Sequence, residues 1–182
     1  MNMPPLIVLG VTGSIAAYKA VDLASQLSKA GYRVQAVMTS DAQKFITPLT
    51  FKTVTRQPVV TDLYTEEDGW MPTHIRLADE AALLVVAPCT ANYIAKMSLG
   101  LADDALSCIA LAMNPNAKVL LAPAMNGKMW LHPATQEHVL NLQKRGVEFI
   151  GPEEGILSCG YEGLGRLMPA EQIIQRCITL LS

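Results

Sequence analysis

The sequence predicts an α/β domain in which a parallel sheet carries helices on both of its faces. Short runs of consecutive apolar residues alternate with longer stretches in which apolar residues recur at helical spacing. Continuous apolar runs are typical of strands buried on both faces, and their alternation with helices favours a parallel sheet. The chain has 182 residues, which suits one domain spanning 1–182. These features place it in the Rossmann-like or flavodoxin-like class.

Five segments have the apolar composition of buried strands. In chain order they are 6–11, 33–39, 82–87, 118–122 and 147–150. Proline follows the third and the fourth of these segments, as Pro88 and Pro123. Because proline has no amide hydrogen to donate to a neighbouring strand, we predict that both strands end before it.

Helices are predicted between and after these strands. Ala17, Ala20, Ala24 and Leu27 recur at helical spacing, and Gly31 then ends the helix. The last helix is predicted from an apolar stripe of Ile173, Ile174, Cys177 and Leu181.

The segment 151–169 is different, because it is rich in glycine and has no clear periodicity. We expect a long loop here, and such loops are often lids or binding flaps. Ligands of doubly wound sheets bind beyond the carboxyl ends of the strands. The segments that follow each strand are therefore the candidate site.

Charge and hydropathy argue against two classes of partner. The net charge is −2 and the sequence contains no basic run, so we expect no nucleic acid. Residues 1–5 lack the regions of a signal peptide, and the apolar runs are shorter than the ~18 residues of a membrane span. The chain is 51% hydrophobic and only 16% charged. Either the core is large, or other subunits cover apolar surface, and we favour a homo-oligomer.

The cysteines and histidines do not form a pattern typical of a metal site. Cysteines occur at four positions with no C-x-x-C pair, and the three histidines do not cluster with them. Zinc sites need about four clustered ligands, so we expect no metal. Unpaired thiols are typical of a reducing compartment, which favours a cytoplasmic protein.

The turn after the first strand contains glycines at 10 and 13 and then Ser14. Glycine lets the backbone approach an anion, and the serine hydroxyl and helix amides can bind it. The spacing matches neither a dinucleotide fingerprint nor a Walker loop, so a mononucleotide phosphate is the better fit. An ordinary turn with Ser14 as a helix cap explains the same residues.

Two later segments carry polar groups with structural explanations of their own. Thr90 and Asn92 follow the third strand, and Asp103 and Asp104 are expected to cap a helix. The fourth strand is followed by Pro-Ala-Met-Asn-Gly-Lys-Met-Trp, residues 123–130. Its methionines and tryptophan form either a packing cluster or a surface that a planar ligand covers.

The segment Pro-Ala-Met-Asn-x-x-Met-Trp resembles the signature of the homo-oligomeric flavin-containing cysteine decarboxylases. The first turn, the Thr-Ala-Asn segment and the Ala-Asp-Asp segment recur in that family in the same order. Residues 157–166, Leu-Ser-Cys-Gly-Tyr-Glu-Gly-Leu-Gly-Arg, resemble the substrate clamp of its phosphopantothenoylcysteine decarboxylase branch. The resemblance covers nearly the whole chain.

The resemblance implies a role for each residue that matches a motif. His74 would be the base, Cys159 the proton donor, and Asn126 would bind the substrate carboxylate. Met125, Gly160 and Arg166 would also contact substrate. The FMN cofactor would be bound by Gly13, Ser14, Ile15, Ser40, Thr90, Ala91, Asn92 and Ala124. His132 and His138 are expected to be cap or surface residues, and Cys89, Cys108 and Cys177 to be inert.

The implied activity is FMN-dependent decarboxylation of 4′-phosphopantothenoylcysteine to 4′-phosphopantetheine in coenzyme A biosynthesis. In that family the reaction passes through thioaldehyde and ene-thiolate intermediates, and a clamp cysteine allows release of a saturated thiol. A peptide C-terminal cysteine decarboxylase, a flavin prenyltransferase and a non-catalytic regulatory flavoprotein are the alternatives. The presence of Cys159 argues against the first of these, and the Pro-Ala-Met-Asn segment against the second. The third usually has a long acidic tail or lacks a catalytic residue.

The family also implies partners. Its members form trimers, or dodecamers built from trimers, with FMN at the subunit boundary, and some are fused to phosphopantothenate–cysteine ligase. This sequence departs from the family at Tyr93, where threonine is usual. We expect the larger side chain to change the local pocket or a subunit contact.

Overall fold

Five parallel strands form the central sheet in the order β2-β1-β3-β4-β5. The structure is a computed structural model and describes residues 3–64, 70–156, 160 and 162–182. The strands are β1 Leu6–Val11, β2 Arg33–Met38, β3 Ala81–Cys89, β4 Lys118–Pro123 and β5 Glu148–Phe149. All five predicted strands are confirmed, and their order is that of a flavodoxin-like sheet.

Strands β3 and β4 end later than predicted, because each includes the proline that was expected to follow it. β3 continues through Pro88 to Cys89, and Pro123 is the last residue of β4. The register between these strands shifts between Val86 and Cys89, and the Ala87–Pro88 peptide bond is cis. Proline is tolerated in a sheet at such irregularities, because no ladder hydrogen bond is required from its nitrogen there.

Helices connect the strands in the predicted places. The first begins as a 3₁₀ helix, Ile15–Lys19, and continues as α1, Ala20–Lys29, before Gly31 adopts a φ of 92°. A second 3₁₀ helix, Ala42–Lys44, follows β2. The remaining helices are α2 Pro48–Thr55, α3 Thr73–Glu80, α4 Ala91–Leu99, α5 Ala105–Ala112, α6 Gly127–Trp130, α7 Pro133–Lys144 and α8 Ala170–Leu181.

The helices divide between the two faces of the sheet, as predicted. Leu23 of α1, Phe51 of α2 and Ile173 of α8 belong to one buried apolar cluster. Leu77 of α3 and Ile94 of α4 belong to the cluster on the opposite face, together with residues of α5 and α7. Within the described ranges, no helix is both long and apolar enough to cross a bilayer.

The segment 151–169 contains a hairpin rather than the loop expected from its composition. β6, Glu153–Ile156, pairs antiparallel with β7, Glu162–Arg166. Glycines lie opposite one another in this ladder, at Gly155 and Gly163. Glycine weakens strand signals and the two strands bury little, so apolar alternation is absent from the sequence.

Candidate active site

A cavity of about 450 Å³ lies at the carboxyl edge of the sheet. Its volume falls within the ~300–1,000 Å³ typical of small-molecule sites. Most of its walls come from the turn after β1, the turn after β4 and the hairpin strand β7. Six predicted site residues line it: Ser14, Ile15, Ala124, Met125, Asn126 and Arg166.

A second cavity, of about 260 Å³, is also lined by the turn after β1. It brings together four more of the predicted cofactor residues: Gly13, Ser40, Thr90 and Asn92. These residues follow β1, β2 and β3, so the turns after three parallel strands meet at this cavity. Gly13 lines this second cavity, whereas Ser14 lines the larger one.

The turn after β1 has the local structure of an anion-binding turn. Ser14 caps the following helix, with its Oγ accepting a hydrogen bond from Ala16 N at 3.3 Å. A Cβ added at Gly13 would lie 2.5 Å from the Cβ of Asp41. Glycine is therefore required for the close approach of this turn to the turn after β2. Both interpretations of the motif, a helix cap and a phosphate site, fit this geometry.

Thr12 joins the β1 turn to the β3 turn and was not recognised in the sequence. Its Oγ1 donates to Pro88 O at 2.8 Å and accepts from Thr90 N at 3.0 Å. Thr90 in turn caps α4, with its Oγ1 accepting from Tyr93 N at 3.3 Å. Sequence reasoning missed Thr12 because a threonine after a buried strand carries no signal that distinguishes a bridge from an ordinary turn residue.

Asn126 lies at the start of the short helix α6, where its side chain faces the larger cavity. Its Oδ1 accepts a hydrogen bond from Lys128 N at 2.9 Å, which fixes the plane of the amide. Of the predicted methionine and tryptophan cluster, Trp130 is buried in the core while Met125 lines the cavity. The packing and ligand interpretations therefore apply to different residues of one segment.

The hairpin packs its backbone directly against the β4 turn. Met125 N donates to Gly165 O at 3.0 Å, and a Cβ at Gly165 would lie only 2.2 Å from Met125 O. Gly165 is a second residue that the sequence did not single out, although its place in the clamp motif offered a signal. Beside it, Arg166 projects into the cavity and its Nε lies 3.7 Å from Glu153 Oε2.

Of the predicted residues that the structure describes, three do not line these cavities: His74, Ala91 and Gly160. His74 lies in the first turn of α3 and lines neither cavity, and its Nδ1 is buried without a hydrogen-bond partner in the part of the chain that the structure describes. Ala91 begins α4, and Gly160 is exposed with a φ of 88°. Cys159, the predicted proton donor, lies outside the described residues.

Comparison with known proteins identifies the family. A family model described as Flavoprotein matches residues 1–182. The chain belongs to this flavoprotein family. The family takes its name from the flavin cofactor, and a flavin is therefore the cofactor of this chain.

Two relatives and one solved structure indicate the branch of the flavoprotein family. The chain is 42% identical over 174 residues to a probable phosphopantothenoylcysteine decarboxylase of Streptococcus mutans, covering 96% of this chain and 97% of the relative. It is 45% identical over 169 residues to the coenzyme A biosynthesis bifunctional protein CoaBC of Bacillus subtilis, covering 93% of this chain. The chain spans only 41% of that relative's length.

The solved structure is a cysteine-to-serine mutant of a PPC decarboxylase complexed with pantothenoylaminoethenethiol. It superposes with a TM-score of 0.88 at 29% identity, covering 97% of both chains. The two proteins therefore share one fold over nearly the whole chain.

The residues of this flavoprotein fit a flavin. Ser14 Oγ and the amides that begin the first helix supply donors for a phosphate, and the helix dipole favours an anion there. Ile15, Ala124 and Met125 give the larger cavity apolar walls that suit a planar ring. Two carboxylates, Asp41 and Asp104, line the smaller cavity, and each has a lysine partner. Lys44 Nζ lies 2.6 Å from Asp41 Oδ1, and that hydrogen bond lowers the pKa of Asp41.

Tyr93, the departure from the family pattern, belongs mainly to the core. It is only 2% exposed, and its hydroxyl donates to Leu106 O at 3.2 Å. Burial raises the pKa of this phenol well above its usual value. Tyr93 also lines the smaller cavity.

The acidic pair after α4 has a structural role. Asp104 forms a capping box with Ser107 at the start of α5, as predicted from the sequence. Lys96 Nζ lies 2.5 Å from Asp103 Oδ1 and 3.0 Å from Asp104 Oδ2. Burial acts to lower the pKa of Lys96, but the two carboxylates outweigh it and the pKa is raised.

The described cysteines and the other histidines lie away from the cavities. Cys89 and Cys177 are buried, and burial raises the pKa of Cys177 to about 12. Cys108 Sγ lies 3.3 Å from Ala102 O, and burial followed by the nearby carboxylates raises its pKa.

His132 caps α7, and His138 hydrogen-bonds Ser98. Among the described residues, no group of three or more His, Cys, Asp or Glu side chains is placed to hold a metal.

Proposed function

We propose that this flavoprotein decarboxylates 4′-phosphopantothenoylcysteine to 4′-phosphopantetheine, with FMN as its flavin. One observation carries the proposal: Asn126, the Ser14 turn and the hairpin residue Arg166 line the same cavity. The reaction requires a hydrogen-bond donor for the substrate carboxylate, a turn that binds the cofactor phosphate, and a segment that holds the substrate. The names of relatives that match almost the whole chain support the same substrate.

FMN is the flavin that suits the turn after β1. The glycines and Ser14 form a site for one phosphate, and the sequence has no G-x-G-x-x-G motif for a dinucleotide such as FAD. When bound, the flavin would supply the two-electron oxidation that makes the sulfur-bearing carbon an electron sink for loss of CO₂. The protein supplies binding, orientation and proton placement.

Asn126 would orient the substrate carboxylate. Because Lys128 N holds Oδ1, the amide presents its NH₂ edge from a fixed plane. A neutral donor keeps the breaking bond aligned without the strong attraction of a cation, which would stabilise the carboxylate before CO₂ leaves. Met125 and Ile15 would exclude water from the reacting carbon.

Cys159 would return a proton to the decarboxylated product. The three cysteines that the structure describes are buried or hydrogen-bonded to the backbone, and none lines a cavity. In the sequence, Cys159 lies between β6 and β7, and Gly165 and Arg166 of β7 line the larger cavity. The solved PPC decarboxylase that lacks one cysteine holds an ethenethiol, which is the product expected when this proton is not delivered.

His74 would complete the site from a second copy of the chain. It lines neither cavity of its own subunit, and exposed apolar side chains such as Trp70, Met71 and Ile15 leave surface for another subunit to cover. A homo-oligomer with the flavin at the boundary would place His74 of one copy beside the cavity of the next. Trimers, or dodecamers built from them, are the assemblies we propose.

A complementation experiment tests this arrangement. His74→Asn and Asn126→Asp are each expected to be inactive alone, whereas oligomers refolded from a mixture of both would regain activity at sites that receive His74 and Asn126 from different copies. Mixtures that stay inactive, although mass measurement shows mixed oligomers, would place His74 in its own subunit's site.

The proposed function is tested by anaerobic incubation of the yellow holoprotein with 4′-phosphopantothenoylcysteine, following product mass and flavin absorbance. Loss of CO₂ to give phosphopantetheine, with the flavin ending oxidised, is the expected result. Turnover only of a peptide ending in cysteine would assign the chain to the peptide-modifying decarboxylases instead. Bound FMN with neither activity would favour a non-catalytic regulatory protein.

We also propose a cellular location and a partner protein. A cytoplasmic location agrees with three described cysteines that are all free thiols. Association with phosphopantothenate–cysteine ligase is proposed because the bifunctional relative of which the chain spans 41% joins two activities of coenzyme A biosynthesis in one protein.

A further inference from the structure

We infer that Thr12 is a positioning residue for the flavin, because its hydroxyl joins two of the turns that would bind it. The inference rests on the proposed function, since it assumes that FMN occupies the cavity beside these turns. Thr12 itself is 1% exposed, and both hydrogen bonds of its hydroxyl go to the protein.

The bridge begins where the ladder between β1 and β3 stops. The last paired residues of these strands are Gly10 and Val86. Beyond that point β3 changes register with β4 and passes through Pro88, which has no amide hydrogen to give. The regular hydrogen bonds between β1 and β3 therefore end before either strand reaches the turn that lines the cavities.

Thr12 replaces those bonds with a single side chain. Its Oγ1 donates to Pro88 O at 2.8 Å and accepts from Thr90 N at 3.0 Å. One further contact joins the same two segments, a longer bond from Thr12 N to Pro88 O at 3.3 Å. A hydroxyl can donate one hydrogen bond and accept another at the same time, whereas an apolar side chain of similar shape can do neither.

The bridge sets the distance between the two sets of flavin ligands. Gly13 and Ser14 follow Thr12 directly, and Asn92 lies two residues after Thr90 at the start of α4. Without the hydroxyl, Thr90 N loses its acceptor, and the longer bond from Thr12 N to Pro88 O is left to hold the two turns at their spacing. Flavin binding would then have to restore their spacing, and the affinity would fall accordingly.

Thr55 offers a matched control within the same chain. Its buried Oγ1 also donates to a carbonyl, Phe51 O at 2.9 Å, and accepts from a backbone amide, Gln57 N at 3.2 Å. It lies at the end of α2 and lines neither of the two cavities. Thr55→Val therefore removes the same pair of bonds away from the flavin.

The experiment titrates the full chain, stripped of flavin, with FMN and follows flavin fluorescence. Thr12→Val is expected to raise the Kd about tenfold, which corresponds to about 1.4 kcal/mol and is within the range for one buried hydrogen-bonding group left without a partner. Thr12→Ser keeps the hydroxyl and should bind like the wild type. Thr55→Val should lower the melting temperature and leave the Kd unchanged.

Deuterium exchange gives a readout that does not depend on the flavin. The peptide containing Thr90 should exchange faster in Thr12→Val than in Thr12→Ser or in the wild type. If Thr12→Val does not fold, Thr12→Ala takes its place, with the same expected direction in both measurements.

Two results would overturn the inference while leaving the proposed function standing. One is an unchanged Kd in Thr12→Val while the wild type binds FMN. The other is an equal loss of FMN binding in Thr55→Val, which would mean that general destabilisation explains the effect. A wild-type chain that binds no FMN would overturn the proposed function, and the inference with it.

Discussion

Gly165→Ala is expected to disable the reaction without removing the flavin. The Cβ of alanine at this position would lie 2.2 Å from Met125 O, whereas real Cβ atoms almost never come closer than 3.0 Å to another heavy atom. The contact must therefore open by at least about 0.8 Å. Because the obstacle is a backbone oxygen, no side-chain rotation can relieve it, and either the hairpin or the β4 turn must move.

The size of the effect follows from that displacement. Misplacement of a reacting group by about 1 Å can cost about 100-fold in rate. Asn126 is the next residue after Met125, and Arg166 is the next after Gly165, so both sides of the larger cavity are affected. We expect kcat to fall roughly 100-fold, while FMN absorbance and the amount of bound FMN stay as in the wild type.

The assay is anaerobic turnover of 4′-phosphopantothenoylcysteine, quantified by product mass, beside the flavin absorbance spectrum. Gly163→Ala is the control, because it lies on the same strand and a Cβ there meets nothing within 4 Å. It should retain activity close to that of the wild type. If Gly165→Ala turns over normally, the docked backbone contact does not set the geometry of the cavity, and the reasoning fails.

Three further changes have defined outcomes. Asn126→Asp keeps the acceptor for Lys128 N but adds a negative charge facing the carboxylate, so kcat/KM should fall by about 100-fold or more with an unchanged melting temperature; normal turnover would remove Asn126 from the carboxylate site. Cys159→Ser should release an unsaturated thiol and leave the flavin reduced, which mass and absorbance would record; a saturated product would contradict the role of Cys159. With a pKa of about 12, the Cys177 thiol should be ionised in roughly one molecule in 10⁴ at pH 8. Iodoacetamide should therefore leave Cys177 and buried Cys89 unlabelled in the native protein, and rapid labelling of either would show that its core opens readily.

The architecture was predictable because the buried strands have a clear sequence pattern. Each of the five segments is a short apolar run, and burial on both faces of a parallel sheet is what selects such runs. The hairpin was not predictable as a hairpin. Its pairing depends on Gly155 and Gly163, whose lack of side chains removes the alternation by which strands are recognised.

The site was predictable in its parts and not in its arrangement. The motifs around Ser14, Thr90 and Asn126 all follow strands, so the topology of the sheet alone brings them to one edge. The division of these residues between two cavities was not foreseen, because a motif shows only that a turn reaches this edge and not which side chains meet there. The role of Thr12 was not predictable either, because its hydrogen-bond partners lie 76 and 78 residues away in the chain.

The contact between the hairpin and the β4 turn has a consequence for how such a protein can change over evolutionary time. Met125 N and Gly165 O are backbone atoms, so the bond between them places no demand on the side chain at 125. A glycine at 165 is the single residue type that the contact requires. The sequence between β6 and β7 can therefore be exchanged by mutation while the hairpin keeps its attachment, which leaves the recognition of new cysteine-bearing substrates open to selection without loss of the flavin site.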